Sequence, residues 1–261
     1  MRRILLFSWF IAGFVADLSA QSWEIGGFAG SSGYMGDINP SDPTKFTDLA
    51  FGAQVKRNID PYWSFKFSAM HGKIQANDAK SANDYQRQRN LSFYSDITEA
   101  GVQTEFNFFN YIPGVSKKKF TPYLFAGIAG VLFNPKTTYN GREYQLAEYD
   151  TEGVDYKTYA IAVPYGTGIK YNITRNWNLI GEIGYRTAFT DYLDDISMIY
   201  PDKNNLINND ARALSDRSGE NSGIYYGAAG TQRGDFRKRD TYMFAGISLT
   251  YTFVSQKCYT W

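Results

Sequence analysis

Metal and redox chemistry have little to work with in this chain, which holds one histidine, His71, and one cysteine, Cys258. One imidazole and one thiol cannot build a tetrahedral zinc set, and Cys258 has no partner for an intrachain disulfide. No metal and no cofactor are therefore expected. Carboxylates gather in one stretch, where Asp194, Asp195, Asp202, Asp210 and Asp216 stand among Asn204, Asn205, Asn208 and Asn209. Oxygen-rich loops can hold calcium, but this spacing fits no calcium-loop pattern, and a solvated loop is the expectation. Arg233-Gly234-Asp235 has the composition of an adhesion tripeptide. Three residues are weak ground for that, and a turn into a following strand is expected instead. The most suggestive charge run is Lys117-Lys118-Lys119. A basic turn beside anionic headgroups and a docking point for a partner account for it equally well.

The elements that must position these residues alternate with period 2. From Tyr159 to Tyr171, tyrosine, isoleucine, valine and threonine occupy one face, and Ala160, Ala162, Gly166, Gly168 and Lys170 the other. Eight such stretches occur: Trp23–Gly30, Asp48–Arg57, Trp63–Gln75, Ser92–Phe108, Thr121–Asn134, Thr158–Asn172, Trp177–Thr190 and Asp240–Val254. Connections between them alternate short and long. This predicts an all-β fold, an eight-stranded antiparallel transmembrane β-barrel with long extracellular loops. A soluble sandwich with tyrosine-rich loops is the competing architecture. Lipid-facing sets would include Leu49, Phe51, Ala53 and Val55; Trp63, Phe65, Phe67 and Ala69; Val102, Thr104, Phe106 and Phe108; and Trp177, Leu179, Ile183 and Tyr185. The last strand would add Met243, Ala245, Ile247, Leu249, Tyr251 and Phe253. Both faces of Thr121–Asn134 are apolar, so its lipid side is open. His71 shares parity with Trp63, Phe65 and Phe67, which favours a place in an aromatic belt over catalysis.

Inward parity collects Glu24, Lys56, Lys66, Glu99, Glu105, Lys170, Glu182 and Arg186, four acids and four bases. An eight-stranded barrel has room for side chains but no wide channel. Buried charges survive there only when matched, so these residues are expected to form a paired plug, with Arg186 and Glu182 near Lys170. A conducting or catalytic lumen is the alternative.

Aromatic residues make up 17% of the chain, yet mean hydropathy is −0.41. A barrel reconciles the two, since only every second strand residue meets lipid. Residues 1–20 read as a secretory signal, with Arg2 and Arg3, an apolar run from Ile4 to Val15 and Ser19-Ala20 before the junction. Residues 21–261 would then form one barrel domain in the outer membrane. With 27 Lys+Arg against 26 Asp+Glu, the chain lacks the basic field that nucleic-acid binding requires. Short turns at Asn58–Tyr62, Phe109–Phe120 and Ile173–Asn176 would face the periplasm, and Ser31–Thr47, Ala76–Leu91, Pro135–Lys157 and Asp191–Arg239 the exterior.

Two motifs carry a family resemblance. Tyr34-Met35-Gly36-Asp37-Ile38-Asn39-Pro40 follows the first strand, and Gln232-Arg233-Gly234-Asp235 precedes Asp240-Thr241-Tyr242-Met243-Phe244-Ala245-Gly246. Together they resemble the PorG-like outer-membrane β-barrel proteins of Bacteroidota. Members usually have Trp where this chain has Thr241, and often end in a Lys-Cys pair, matched by Lys257-Cys258 but followed here by Tyr259-Thr260-Trp261. The resemblance implies a non-enzymatic part in type IX secretion and gliding, touching a periplasmic ring of a lipoprotein and its partner. Lys117, Lys118, Lys119, Lys257, Tyr259 and Trp261 are then the contact candidates, and Gly36, Asp37, Asn39, Arg233, Gly234, Asp235, Asp240 and Tyr242 the motif residues. The alternative is a stand-alone OmpA-like barrel that binds surface ligands through its outer loops.

Overall fold

Period-2 alternation becomes a ladder of nine strands in the computed structural model, which describes residues 22–40 and 42–253. The strands are β1 (Ser22–Met35), β2 (Phe46–Asn58), β3 (Trp63–Asn77), β4 (Ser92–Asn107), β5 (Phe120–Tyr139), β6 (Arg142–Gln145), β7 (Tyr159–Asn172), β8 (Trp177–Ala188) and β9 (Thr241–Phe253). Neighbouring strands pair antiparallel in the order β4-β3-β2-β1-β9-β8-β7-β5, and β4 pairs with β5 to close the ring. Eight strands therefore make the barrel. β6 pairs only with the outer end of β5, through a turn at Asn140-Gly141 in which both residues have positive φ, 49° and 75°. Asn-Gly is the favoured pair for such a hairpin turn, so part of the expected external loop is an extension of the sheet. The signal segment 1–20 and the contact candidates Lys257, Tyr259 and Trp261 lie outside the described residues.

The outer surface sorts as the alternation predicts. Trp23, Trp63, Phe108, Phe120, Tyr171, Trp177 and Phe253 are exposed around the short-turn end. Above them runs an aliphatic band that includes Ile128, Ile161, Ile169, Ile247 and Leu249. Near the other rim the Phe51 ring lies 5.2 Å from His71, whose Nδ1 is 2.9 Å from Thr98 Oγ1. His71 thus sits in an aromatic belt. The open side of β5 is resolved: Leu124, Ile128 and Leu132 face outward, while Tyr123, Phe125, Val131 and Phe133 are buried. A closed antiparallel ladder with an apolar belt between two aromatic girdles is an outer-membrane barrel. Long connections then lie outside the cell and short turns in the periplasm.

Met243 departs from expectation. It has outward parity yet is fully buried, because the first long loop folds back over the rim. The Tyr185 hydroxyl donates to Pro43 O at 3.1 Å, and a side chain at Gly33 would collide with Lys45 O and crowd the Met243 side chain.

Ile128 is exposed near the middle of β5. Ile128→Arg should destabilise the barrel by about 2–4 kcal/mol, the cost of a basic side chain at the lipid midplane. Urea unfolding in lipid vesicles measures it, and Thr104→Arg nearer the short-turn end should cost less.

Candidate functional site

Seven of the eight inward charges are buried, Glu182 is only slightly more accessible, and every one has an oppositely charged partner. Strand geometry does this without help from loops, since inward residues of neighbouring strands project into one narrow space. Glu105 is the hub, within ion-pair distance of Lys170 (2.6 Å), Lys56 (2.9 Å) and Lys66 (3.5 Å). Lys66 also meets Glu182 at 2.5 Å, and Lys56 reaches Glu24 at 4.0 Å. Arg186 pairs with Glu99 at 3.3 Å, and the Tyr242 hydroxyl donates to the same carboxylate at 2.6 Å. The expected grouping of Glu182, Arg186 and Lys170 is corrected in detail. Each finds its partner across the lumen rather than along its own hairpin, because opposite walls of so small a ring are within side-chain reach.

Aromatic rings fill what the ions leave. Tyr123 donates to Glu182 at 2.6 Å, Lys66 lies over Phe125, and Lys170 over Tyr123. At the periplasmic mouth, Tyr111 of the Phe109–Phe120 connection is buried and donates to Asn178 Oδ1 at 3.0 Å. Lys117, Lys118 and Lys119 of that connection stay exposed. Lys118 stacks 4.0 Å above the Phe109 ring beside a cleft of about 570 Å³.

A second assembly caps the outer mouth, and it was invisible to local reading. The short helix Asp84–Arg89 sends Arg89 into the cap, where Nε and Nη2 donate to the two oxygens of Asp78 at 2.7 and 2.9 Å. Nη2 of Arg89 also donates to Asp37 O at 3.0 Å, and Nη1 donates to Arg233 O. The two resemblance motifs meet here. Asp235 N donates to Asp37 Oδ1, and Asn39 Nδ2 donates to Tyr34 O at 2.7 Å. Gly36 has no room for a side chain, which would strike Asp240 Oδ1, and one at Gly234 would strike Ser197 O.

Arg233 is 1% exposed and donates to Glu152 Oε1 at 2.7 Å, Asp195 O at 2.8 Å and Ser215 O at 3.1 Å. A buried guanidinium presents no adhesion tripeptide, so the structural reading of Arg233-Gly234-Asp235 holds. Asp194 and Asp195 correct the solvated-loop expectation, since both are 1% exposed. Tyr156 donates to Asp195 at 2.6 Å, and Tyr34 donates to Asp194. The helix Asn209–Ser215 and the residues Glu152, Asp78, Arg89 and Asp191 were also unanticipated. Only Asn208, whose side chain accepts from Ala211 N at 2.7 Å, gave a local sign of that helix.

Cap acids are unevenly compensated. One carboxylate oxygen from each of Asp37, Asp191 and Asp240 lies within 4.8 Å of the others. Asp194 is near, and among the described residues no ion pair forms to any of these four. Burial, then the neighbouring Asp194, pushes the Asp37 carboxyl up to about 9. Burial raises Asp194 to about 8, Arg89 offsetting part of the shift, and Asp191 to about 6. Asp240 is raised well above the usual carboxylate range by burial and then by Asp194 and Asp37.

Residues 2–215 match the model of the family DUF6089, described as a domain of unknown function. The chain belongs to the DUF6089 family. The DUF6089 match runs through β8 into the cap and ends before Arg233. No curated protein matches the chain. Among solved structures, it is similar to the outer membrane protein OprG from Pseudomonas aeruginosa, with 12% identity over 90% of this chain and 97% of that one and a TM-score of 0.42. A major outer membrane protein from Thermus thermophilus shows 12% identity over 90% and 100% of the two chains, also at 0.42. Outer Membrane Protein W of E. coli gives 14% identity over 90% and 98%, at 0.38. The assignment as a barrel rests on the strand pairing of this chain itself.

Two outcomes follow from these networks. Glu105→Leu leaves the buried Lys170 ammonium without a carboxylate partner and takes one of two partners from Lys56 and from Lys66, and should cost on the order of 3–5 kcal/mol. Tyr185→Leu on the outer wall should cost far less, and heat-modifiability on gels ranks the two. In the cap, raised carboxyls lend their full stability below their ordinary value of 3.8 and lose it as pH climbs through about 8 and about 9. In EDTA, cap cleavage by a broad-specificity protease, corrected for the enzyme's own pH profile, should be slower at pH 5 than at pH 9.

Proposed function

We propose that the protein is a non-enzymatic, non-conducting outer-membrane barrel whose folded outer cap is its recognition surface. The observation that carries this reading is the combination of a filled lumen with long loops tied into one hydrogen-bonded body. Loops held this firmly present a fixed surface, the condition for recognition at low entropic cost. The cap opens a cleft of about 660 Å³ between the first two outer connections, with Lys45, Lys80, Asn77 and Asn83 at its wall and buried Gln86 at its floor. Elsewhere Ile224, Tyr225, Tyr226 and Phe236 are exposed, a density of apolar and aromatic side chains typical of interaction surfaces. His71, the sole imidazole, faces the membrane instead of any cleft.

A second reading follows the family resemblance: the PorG-like role, in which the barrel touches periplasmic ring proteins of the type IX apparatus. The exposed Lys117–Lys119 run and its cleft walled by Tyr62, Phe108 and Phe109 favour it, because a cationic, aromatic patch suits an acidic protein partner.

One set of strains separates the readings. If the cap is the working surface, Lys45→Glu with Lys80→Glu lowers ligand capture by whole cells, while type IX cargo export is unchanged. If the periplasmic face is, reversing Lys117, Lys118 and Lys119 to Glu lowers export and co-purification of ring proteins. In either case planar bilayers should record no sustained porin-like conductance, and large stable channels would overturn the filled-lumen premise.

A further inference from the structure

The three carboxylates Asp37, Asp191 and Asp240 come from three segments that meet above the barrel: the chain after β1, the chain after β8 and the residue before β9. Their oxygens lie within 4.8 Å of one another. Oxygen ligands about 2.3–2.6 Å from a calcium ion are separated by at most twice that distance, so this spread fits a single coordination sphere. A second observation points to a ligand. Asp37 is 2% exposed, its Oδ1 accepts from Asp235 N, and its Oδ2 accepts no hydrogen bond among the described residues. Asp191 repeats the pattern, with Oδ2 taken by Ser197 Oγ at 2.7 Å and Oδ1 left over. Asp37 and Asp191 are thus each oriented by one oxygen and offer the other, while Asp240 is oriented by Leu193 N, 3.0 Å from its Oδ2, and holds Oδ1 in a long 3.3 Å contact with the Tyr34 hydroxyl.

We propose that Asp37, Asp191 and Asp240 form a calcium-binding site that ties together the three segments of the outer cap. The donors are all hard oxygen, the preference of calcium and magnesium and not of zinc or copper. Asp194, held by Tyr34 and by Ile196 N, adds negative charge beside the site without being needed as a ligand. The arginines of the cap are engaged elsewhere, Arg89 with Asp78, Arg233 with Glu152, Arg237 with Asp235 and Arg239 over the Phe189 ring. Raised carboxyl pKa values at Asp37 and Asp194 agree with a cluster that lacks a compensating cation. Water would complete the sphere, as it does at many exposed calcium sites.

Titrating calcium chloride into the full chain, folded in detergent and stripped with a chelator, tests this by calorimetry. The expected result is one saturable site per chain in the range of extracellular calcium modules, roughly 10⁻⁴–10⁻³ M, with protons released on binding at pH 7. Asp37→Asn and Asp240→Asn should each weaken binding about tenfold or more, since ligand charge sets calcium affinity. Asp155→Asn, at an exposed acid elsewhere in the cap, should not. Because Asn is isosteric and cannot ionise, both site variants should keep heat-modifiable barrels and resist cap proteolysis at pH 9 without calcium, whereas wild type at pH 9 gains that resistance only when calcium is added. Absence of saturable binding, binding undiminished in both site variants, or saturation by magnesium alone would overturn the proposal.

Discussion

Lipid offers no hydrogen bonds, so every backbone group between the two girdles must find its partner inside the ladder, and closure between β4 and β5 satisfies this requirement. The rest of the molecule follows from closing with eight strands instead of more. A ring that small encloses side chains and little water, so each inward charge must be answered by another side chain. Glu105 serves three lysines because they project from strands on either side of it and across the ring. Small residues share the inner wall for the same reason. A side chain at Gly184 would strike the Phe125 ring at 2.5 Å, and that ring lies under the Lys66 ammonium.

Packing the lumen moves the structural problem to its ends. At the periplasmic mouth Tyr111 enters a network of Asn172, Asn178, Thr250 and Thr252, neutral groups that satisfy one another. The outer mouth is wider in sequence and richer in charge. Two arginines each organise several loops: Arg89 joins the second outer connection to Asp37 and Arg233, and Arg233 joins the fourth to Glu152 in the third. Guanidinium suits this work because its fixed fork bonds carbonyls and carboxylates from several directions at once. Lumen and cap therefore obey one rule, that buried charge needs a counter-charge. The lumen meets it with side chains, while the acidic group beside Tyr34 does not.

What the sequence revealed depended on distance along the chain. Alternation is local, so strands, lipid faces and the inward parity of all eight lumen charges were readable from runs such as Tyr159–Tyr171. Pairings were not, because Lys66 and Glu182 are separated by 116 residues. On β5 periodicity failed for a physical reason: Tyr123 and Phe125 fill the lumen, making the inner face as apolar as the outer. The β5–β6 hairpin has its local sign in Asn140-Gly141, inside the stretch Pro135–Lys157 that loop length alone assigns to an external loop. Asp194 and Asp195 resemble solvated loop residues in any local window, and their burial follows from contacts with Tyr34 and Arg233, far off in sequence. The resemblance motifs marked the cap before its geometry was visible. Gly36-Asp37 and Gly234-Asp235 belong to two motifs far apart in the chain, and Asp37 meets Asp235 across 198 residues.

A barrel whose lumen is packed with paired charges and aromatic rings meets solvent mainly at its two ends, and recognition is sought where side chains are exposed. On the periplasmic side the described residues leave a few short turns, of which only Phe109–Phe120 is long enough to combine exposed cations with an aromatic cleft. On the outer side they leave four connections whose backbones are fixed by Arg89, Arg233 and the two motif glycines. Rigid loops are costly to build, and membrane closure alone does not demand them, since the lumen is already filled from within by Tyr123, Phe125 and the paired charges. The extra order above the membrane is therefore better explained by what the cap must hold or recognise than by what the barrel needs in order to stand.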